Sequence, residues 1–275
     1  MNPLKLMCVL AHPDDESLGN GGILAKYGAE GVETYLVTAT RGEHGWPSAD
    51  EDYPGPEKLG KIREAELLAA ADILGIHEVQ FLDYMDGDLD QADPQEAIRK
   101  IVRHLRRVRP QVVVTFDQNG AYGHPDHIAI SQFTTAALVA AADPTYVDPE
   151  GWHAHRVSKL YYMAFTPEMA DIYESAFGEL VMHVDGQERH TTPWQPWAIS
   201  ADIDAGPYWQ QVLRAVTCHQ TQIPGYDALV QLPESVQRKL WGMQHYYRVM
   251  SLVNGGRQVE HDLFTGLREQ MPSNS

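Results

Sequence analysis

Cysteine is almost absent. Cys8 and Cys218 are the only two among 275 residues, which excludes a disulfide framework and makes both small buried hydrophobes in expectation. Positive charge is scarce too: 21 Lys and Arg stand against 38 Asp and Glu, a net charge of −17. Nucleic acid and anionic membrane surfaces both need a clustered positive face, so neither is an expected partner. No apolar run approaches the roughly 18 residues of a membrane-crossing helix. No basic stretch, apolar run and small-residue cleavage site open the chain, and the expected location is cytoplasmic. Repeats, low-complexity tracts and a phosphate loop are missing. Gly19-Asn20-Gly21-Gly22 comes nearest to a dinucleotide fingerprint, but its spacing fails and it follows a charged cluster. Close helix packing is the plainer reading of these glycines.

What the chain does have is a doubled pattern. Leu6 to Leu10 is an apolar run that reads as a strand buried on both faces, and it leads into His12-Pro13-Asp14-Asp15-Glu16. Gln111 to Asp117 is a second such run, leading through Gln118-Asn119-Gly120-Ala121 into Tyr122-Gly123-His124-Pro125-Asp126-His127. A single His-Pro-Asp tetrapeptide is explained by a proline turn and a helix cap. Two of them, each behind a buried strand, point to a site.

Further strands are expected at Thr34–Thr40, Glu78–Asp83, Lys159–Phe165 and Pro196–Ile203. Helices are expected from Gly19 to about Glu30 and over Lys58–Leu74, Pro94–Val108, His127–Ala142, Tyr208–His219 and Ser235–Tyr247. Arg99, Lys100, Arg103, Arg106 and Arg107 read as a solvated face of the third of these. His77, His104, His153 and His155 read as surface residues. His219 and His245 read as packing histidines, with His219 able to border a pocket. The segment Val181–Trp197 reads as a surface hairpin, and residues 271–275 as a loose tail. Alternation of strands and helices predicts an α/β, Rossmann-like, mostly parallel sheet with helices on both faces and a helical C-terminal region. One domain spanning 1–275 is expected, with a core over 1–142 that carries the site. Residues 150–270 then shape the substrate pocket. In a 3-2-1-4 strand order, both tetrapeptides face one crevice at the carboxyl ends of the strands.

His12 and Asp15, three apart in a turn entering a helix, can converge on one point, and His127 can reach it from the neighbouring strand end. Two imidazoles and a carboxylate with open positions suit catalytic zinc, and iron(II) accepts the same set. Asp14 then points elsewhere and can act as a general base. His124 faces the substrate as an imidazolium, with Asp126 as its orienting partner or as a helix N-terminal charge.

The motifs AHPDDES (11–17), TRGE (40–43), KIREAEL (61–67) and GAYGHPDH (120–127) resemble the LmbE-like, PIG-L-type zinc-dependent de-N-acetylases. Within them the likeness is greatest to the mycothiol-pathway branch, which hydrolyses an N-acetylglucosaminyl-inositol. Weaker echoes occur at CHQTQ (218–222) and near DLFTGL (262–267). The resemblance implies His12, Asp15 and His127 as zinc ligands and Asp14 as general base. It also implies His124 at the oxyanion and leaving amine, and Tyr122 as a mobile tyrosine polarising the acetyl carbonyl. Arg63 and Asp86 would hold sugar or aglycone hydroxyls, although Arg63 taken alone reads as a surface residue. The implied activity is hydrolysis of an N-acetyl group from an N-acetylglucosamine-type conjugate. The partner is then a small sugar amide, and a homo-oligomer is compatible with it. The alternatives are a metal-dependent amidase on thiol conjugates and a non-catalytic sugar-binding module. The presence of every base and ligand argues against the module.

Overall fold

The chain is built around the apolar segment Lys5–Leu10, strand β1, whose last five residues are buried. The structure, a computed structural model, describes residues 3–47, 52–178, 180–256 and 258–268. The expected tail at 271–275 lies outside them. The other strands are β2 (Glu33–Thr38), β3 (Glu78–Phe81), β4 (Val112–Thr115), β5 (Lys159–Met163), β6 (Val181–Val184), β7 (Gln187–His190), β8 (Ala201–Asp204) and β9 (Met243–Ser251). Seven of them form one sheet in the order β3-β2-β1-β4-β5-β9-β8, and β6 and β7 pair separately. β3 through β5 run parallel, with Leu6 between Thr34 and Val112, whereas β9 pairs antiparallel with both β5 and β8.

The helices are α1 (Asp15–Ala29), α2 (Pro56–Leu74), α3 (Pro94–Val108), α4 (Gly120–Gly123), α5 (Pro125–Ala142), α6 (Pro167–Phe177), α7 (Trp209–Val216), α8 (Ile223–Val230) and α9 (Glu234–Gly242). α3 packs with α5, and α1 with α2, α7 and α9, which gives the sheet its two helical layers. Gly75, in the left-handed region, ends α2 as expected. α4 is one turn broken at Ala121, whose φ of 60° and ψ of −85° are not helical.

Strand order reverses between β1 and β4, the arrangement expected from the sequence. In such sheets the loops leaving the two central strands border a crevice at their carboxyl ends. His12 to Glu16 and Asp117 to His127 leave β1 and β4 there.

Several expectations need correction. The stretch 235–247 is not one helix. α9 stops at Gly242 and β9 begins at Met243, where Gln244 and Tyr246 are buried in alternation. The region after 150 therefore supplies sheet edges as well as helices. Of Pro196–Ile203, only the end belongs to a strand. Arg106 is buried, not solvated: its guanidinium donates to the carbonyls of Ala140 and Ala141 in the last turn of α5 and of Asp143 and Tyr146 after it, where carbonyls lack intrahelical partners. His104 is buried as well, and burial beside Arg107 and Arg103 lowers it to about 4. The hairpin at β6–β7 forms where expected and leans on α4, Arg189 donating to the Gly123 carbonyl at 3.2 Å.

Candidate active site

β1 ends in a tight reversal that makes Asp14 the residue before α1, at φ 108° and without a side-chain cap. A non-glycine residue at positive φ costs on the order of 1–3 kcal/mol and persists only where its surroundings fix it. Three sets of bonds do so. The Asp14 amide donates to Glu16 Oε2 at 2.9 Å. Arg63 Nη2 meets the Pro13 carbonyl at 2.6 Å and Asp14 Oδ2 at 2.9 Å. Arg63 Nη1 donates to the Gly42 carbonyl at 3.0 Å. Gly42 stands at φ 70°, and a Cβ there would lie 2.1 Å from Arg63 Nη1, so this approach requires glycine.

Glu16 is held in turn. Ser17 Oγ donates to its Oε1 at 2.5 Å, and His219 Nε2 lies 2.8 Å from the same oxygen. Glu16 and His219 are both fully buried. Against burial, the His219 charge and hydrogen bond lower the Glu16 carboxyl. Burial also opposes protonation of His219, but the Glu16 charge raises its imidazole. His219 belongs to the CHQTQ segment, whose next residues bind the same wall. Thr221 N and Oγ1 donate to Glu66 at 2.8 and 2.7 Å, and Gln222 Nε2 reaches the Gly45 carbonyl at 2.6 Å.

On the other side of the turn, His12, Asp15 and His127 converge. His12 Nδ1 and His127 Nε2 are 3.2 Å apart, His12 Nδ1 and Asp15 Oδ2 are 3.9 Å apart, and His127 Nε2 and Asp15 Oδ1 are 3.6 Å apart. Two nitrogens bound tetrahedrally to zinc at about 2.05 Å would be separated by about 3.3 Å, so the two imidazoles fit that ion, while Asp15 faces each of them through a different carboxylate oxygen. Asp15 is aimed by the amides of Ala11 and His12, which donate to its Oδ2 at 3.1 and 2.8 Å. Burial, with Asp14 and Glu16 nearby, outweighs the His12 charge and raises Asp15 to about 7. His127 is pushed well below its ordinary value by burial and by His12. His12 moves the other way: burial lowers it, but hydrogen bonds to Asp126 and Asp86 hold it well above the usual range.

Asp126 stands in the first turn of α5, one of its two expected places, but its carboxylate supports His12 and not the His124 ring. Its carboxylate lies 3.1 Å from His12 Nε2, and it accepts the amides of Gly87 at 2.8 Å and Leu89 at 3.1 Å. Only its backbone amide meets His124, donating to Nδ1 at 3.2 Å as a helix cap. Asp86 Oδ1 lies 3.0 Å from the same His12 nitrogen, and its Oδ2 accepts from the His44 amide at 3.2 Å. Two carboxylates thus hold the far nitrogen of His12 and leave Nδ1 facing the centre, the usual support for a ligating histidine. His124 also departs from expectation. Burial and the neighbouring His12 lower it to about 4, and a ring whose Nδ1 accepts a backbone amide is a neutral imidazole with its proton on Nε2.

Donor atoms of His12, His124 and His127 lie within 4.8 Å of one another and could hold an ion, as could those of His12, Asp86 and Asp126. Tyr122 lies with its ring centroid 5.5 Å from His127 and 6.0 Å from His124. Its phenol is raised by burial and by the surrounding carboxylates, and it stays protonated. All nine residues singled out in the sequence meet in this region, and eight of them line a single cavity of about 530 Å³; Asp126 lies just behind His12. Arg63, which alone reads as a surface residue, is 3% exposed. Sequence reasoning missed the support by Glu16 and Asp117, the latter taking the Trp194 indole N–H at 2.7 Å. His219 had a signal in the CHQTQ echo.

The family model PIG-L, described as GlcNAc-PI de-N-acetylase, matches residues 7–138. A mycothiol S-conjugate amidase of Streptomyces coelicolor is 30% identical, over 97% of this chain and 98% of that protein. This chain belongs to the PIG-L family. A second PIG-L relative, a 1D-myo-inositol 2-acetamido-2-deoxy-alpha-D-glucopyranoside deacetylase of Geodermatophilus obscurus, is 34% identical over 96% of this chain and 98% of its own length. Among solved structures, the conserved protein TT1542 of Thermus thermophilus matches with a TM-score of 0.63 and 27% identity, over 92% of this chain and 97% of that one. The PIG-L match ends at 138, so it covers every residue named from the two tetrapeptides and none of the wall contributed by residues 160–245.

Proposed function

We propose that the chain hydrolyses the amide of an N-acetylglucosamine-type conjugate, adding water across the C–N bond to give a free amine and acetate. The observation that carries this reading is the pairing at one cavity of a zinc-compatible His12–Asp15–His127 cluster with a clamped carboxylate, Asp14. Iron(II) fits the same donors. When bound, the cation supplies Lewis acidity, polarising an acyl oxygen and acidifying water. Asp14 takes the proton from the attacking water, and Arg63 fixes the carboxylate's direction. The Tyr122 hydroxyl and His124 Nε2–H donate to the acyl oxygen as charge develops on it. A neutral His124 has no second proton to give, so Asp14 returns the one it took to the departing amine. Asp86 and Asp126 keep His12 in the tautomer that points Nδ1 inward.

Asp14→Asn should retain about one zinc per chain and lose at least about 100-fold in turnover. His12→Ala should lose the metal itself. Metal analysis and amine release from N-acetylglucosamine derivatives check both, and a fully active Asp14→Asn enzyme would remove Asp14 from the role. Amidase action on thiol conjugates is the second reading, favoured by the full-length match to the Streptomyces amidase. Measuring acetate among the products separates the two.

A further inference from the structure

The proposed chemistry uses only one end of the cavity. Polar groups crowd that end, but Met163, Phe165, Met169, Leu180 and Leu240 give the same cavity an apolar wall. These residues come from β5, the loop after it, α6, the approach to β6 and α9, all beyond the family match at residues 7–138. The side-chain amides near this wall are engaged in part. Gln244 Oε1 accepts the Ile23 amide at 2.7 Å, and its Nε2 donates to the Gly19 carbonyl at 3.0 Å. Gln222 Nε2 is spent on Gly45, and His245 turns Nδ1 to Asp202 at 2.6 Å. A sugar hydroxyl placed against Met163, Phe165 or Met169 would give up water for no replacement, losing on the order of 10-fold in affinity per unpaired hydroxyl.

We propose that this wall receives an apolar substituent, so that the substrate is an amphipathic sugar amide. Its amide and sugar hydroxyls sit at the His12, Arg63 and Asp86 end, and an alkyl or aryl group lies against Met163, Phe165 and Met169. The inference rests on the de-N-acylation reading for the reaction, but the wall itself is a matter of binding. Each methylene buried is worth roughly 4-fold in affinity. The apolar group can be carried on either side of the amide, as a longer acyl chain or as an aglycone.

The test runs two substrate series on the zinc-loaded full chain. One is glucosamine N-acylated with acetyl, butanoyl or hexanoyl. The other is N-acetylglucosamine bearing a methyl, phenyl, octyl or inositol aglycone. kcat/KM should climb by roughly 4-fold per methylene over the first few in one series, and the series that climbs identifies which side carries the group. Phe165→Gln with Met169→Gln should collapse the ratio of long to short substrate, and Phe165→Leu should keep most of it. Flat or falling values in both series, or preference for the inositol glycoside, overturn the proposal. Calorimetric titration with methyl, butyl and octyl glucosides stands apart from catalysis. Binding that tightens with chain length while no amide is cut leaves the apolar wall in place and removes the proposed reaction. Binding indifferent to chain length removes the wall.

Discussion

At the scale of single residues, the decisive feature is a carboxylate held where its backbone does not want to be. Asp14 keeps φ 108° because Glu16 accepts its amide, and Glu16 keeps its place because His219 reaches it from 203 positions along the chain. His219→Leu should leave zinc content and KM as they are and lower kcat by about 10- to 100-fold, because the loss is of orientation at Asp14. His219→Gln, which restores an N–H donor, should recover most of it. On an Asp14→Asn background the His219→Leu loss should vanish, since coupled residues are not additive. Steady-state kinetics with metal analysis on the four proteins checks this; losses that simply multiply would confine His219 to holding the fold. The proposed ligands were legible in the sequence because strand, turn and histidine fall within a few positions of one another. The contacts of Arg63 and His219 with this turn were not, because only the fold brings a helix arginine and a distant histidine to it.

At the scale of elements, the glycines of α1 show how packing overrides local preference. The reading of close helix packing holds, and the partners are α7 and the segment just before it: a Cβ at Gly21 would lie 2.7 Å from Val212 Cγ1, and one at Gly22 would lie 2.8 Å from the Ala205 Cβ. Gly21→Ala gains about 1 kcal/mol of helix propensity but forces an overpacked contact that costs roughly 1–3 kcal/mol. The variant should melt lower than the parent, and adding Val212→Ala should restore more stability than Val212→Ala removes alone. Thermal unfolding of the three variants reads this directly. β9 illustrates the opposite failure of local signals. Met243 to Tyr247 continues a helical pattern on paper, yet the alternate burial of Gln244 and Tyr246 is set by antiparallel partners on both sides, which a period counted along one chain does not see. Arg106 was misread for a related reason, since the carbonyls it caps belong to another helix and the turn after it.

At the scale of the whole molecule, the parallel core that carries both tetrapeptides does not close its own surface. One hydrophobic cluster runs from Leu6 to Leu267, with Val212, Val216 and Trp241 of the later helices packed into it. β5 covers the edge of β4, and a buried Lys159–Glu260 pair at 2.7 Å ties the chain's final segment to the start of β5. Removing one member of such a buried pair typically costs about 3–5 kcal/mol, a large share of a domain's stability. Residues 1–142 contain every proposed metal ligand, yet expressed alone they would leave β4 as an open edge and strip α1 of α7 and α9. That fragment should bind a hydrophobic dye, unfold without a sharp urea transition and fail to retain zinc through gel filtration. The full chain should do the reverse. A cooperative transition and retained metal in the fragment would mean that the first half folds on its own, and that the second half contributes only the wall of the cavity.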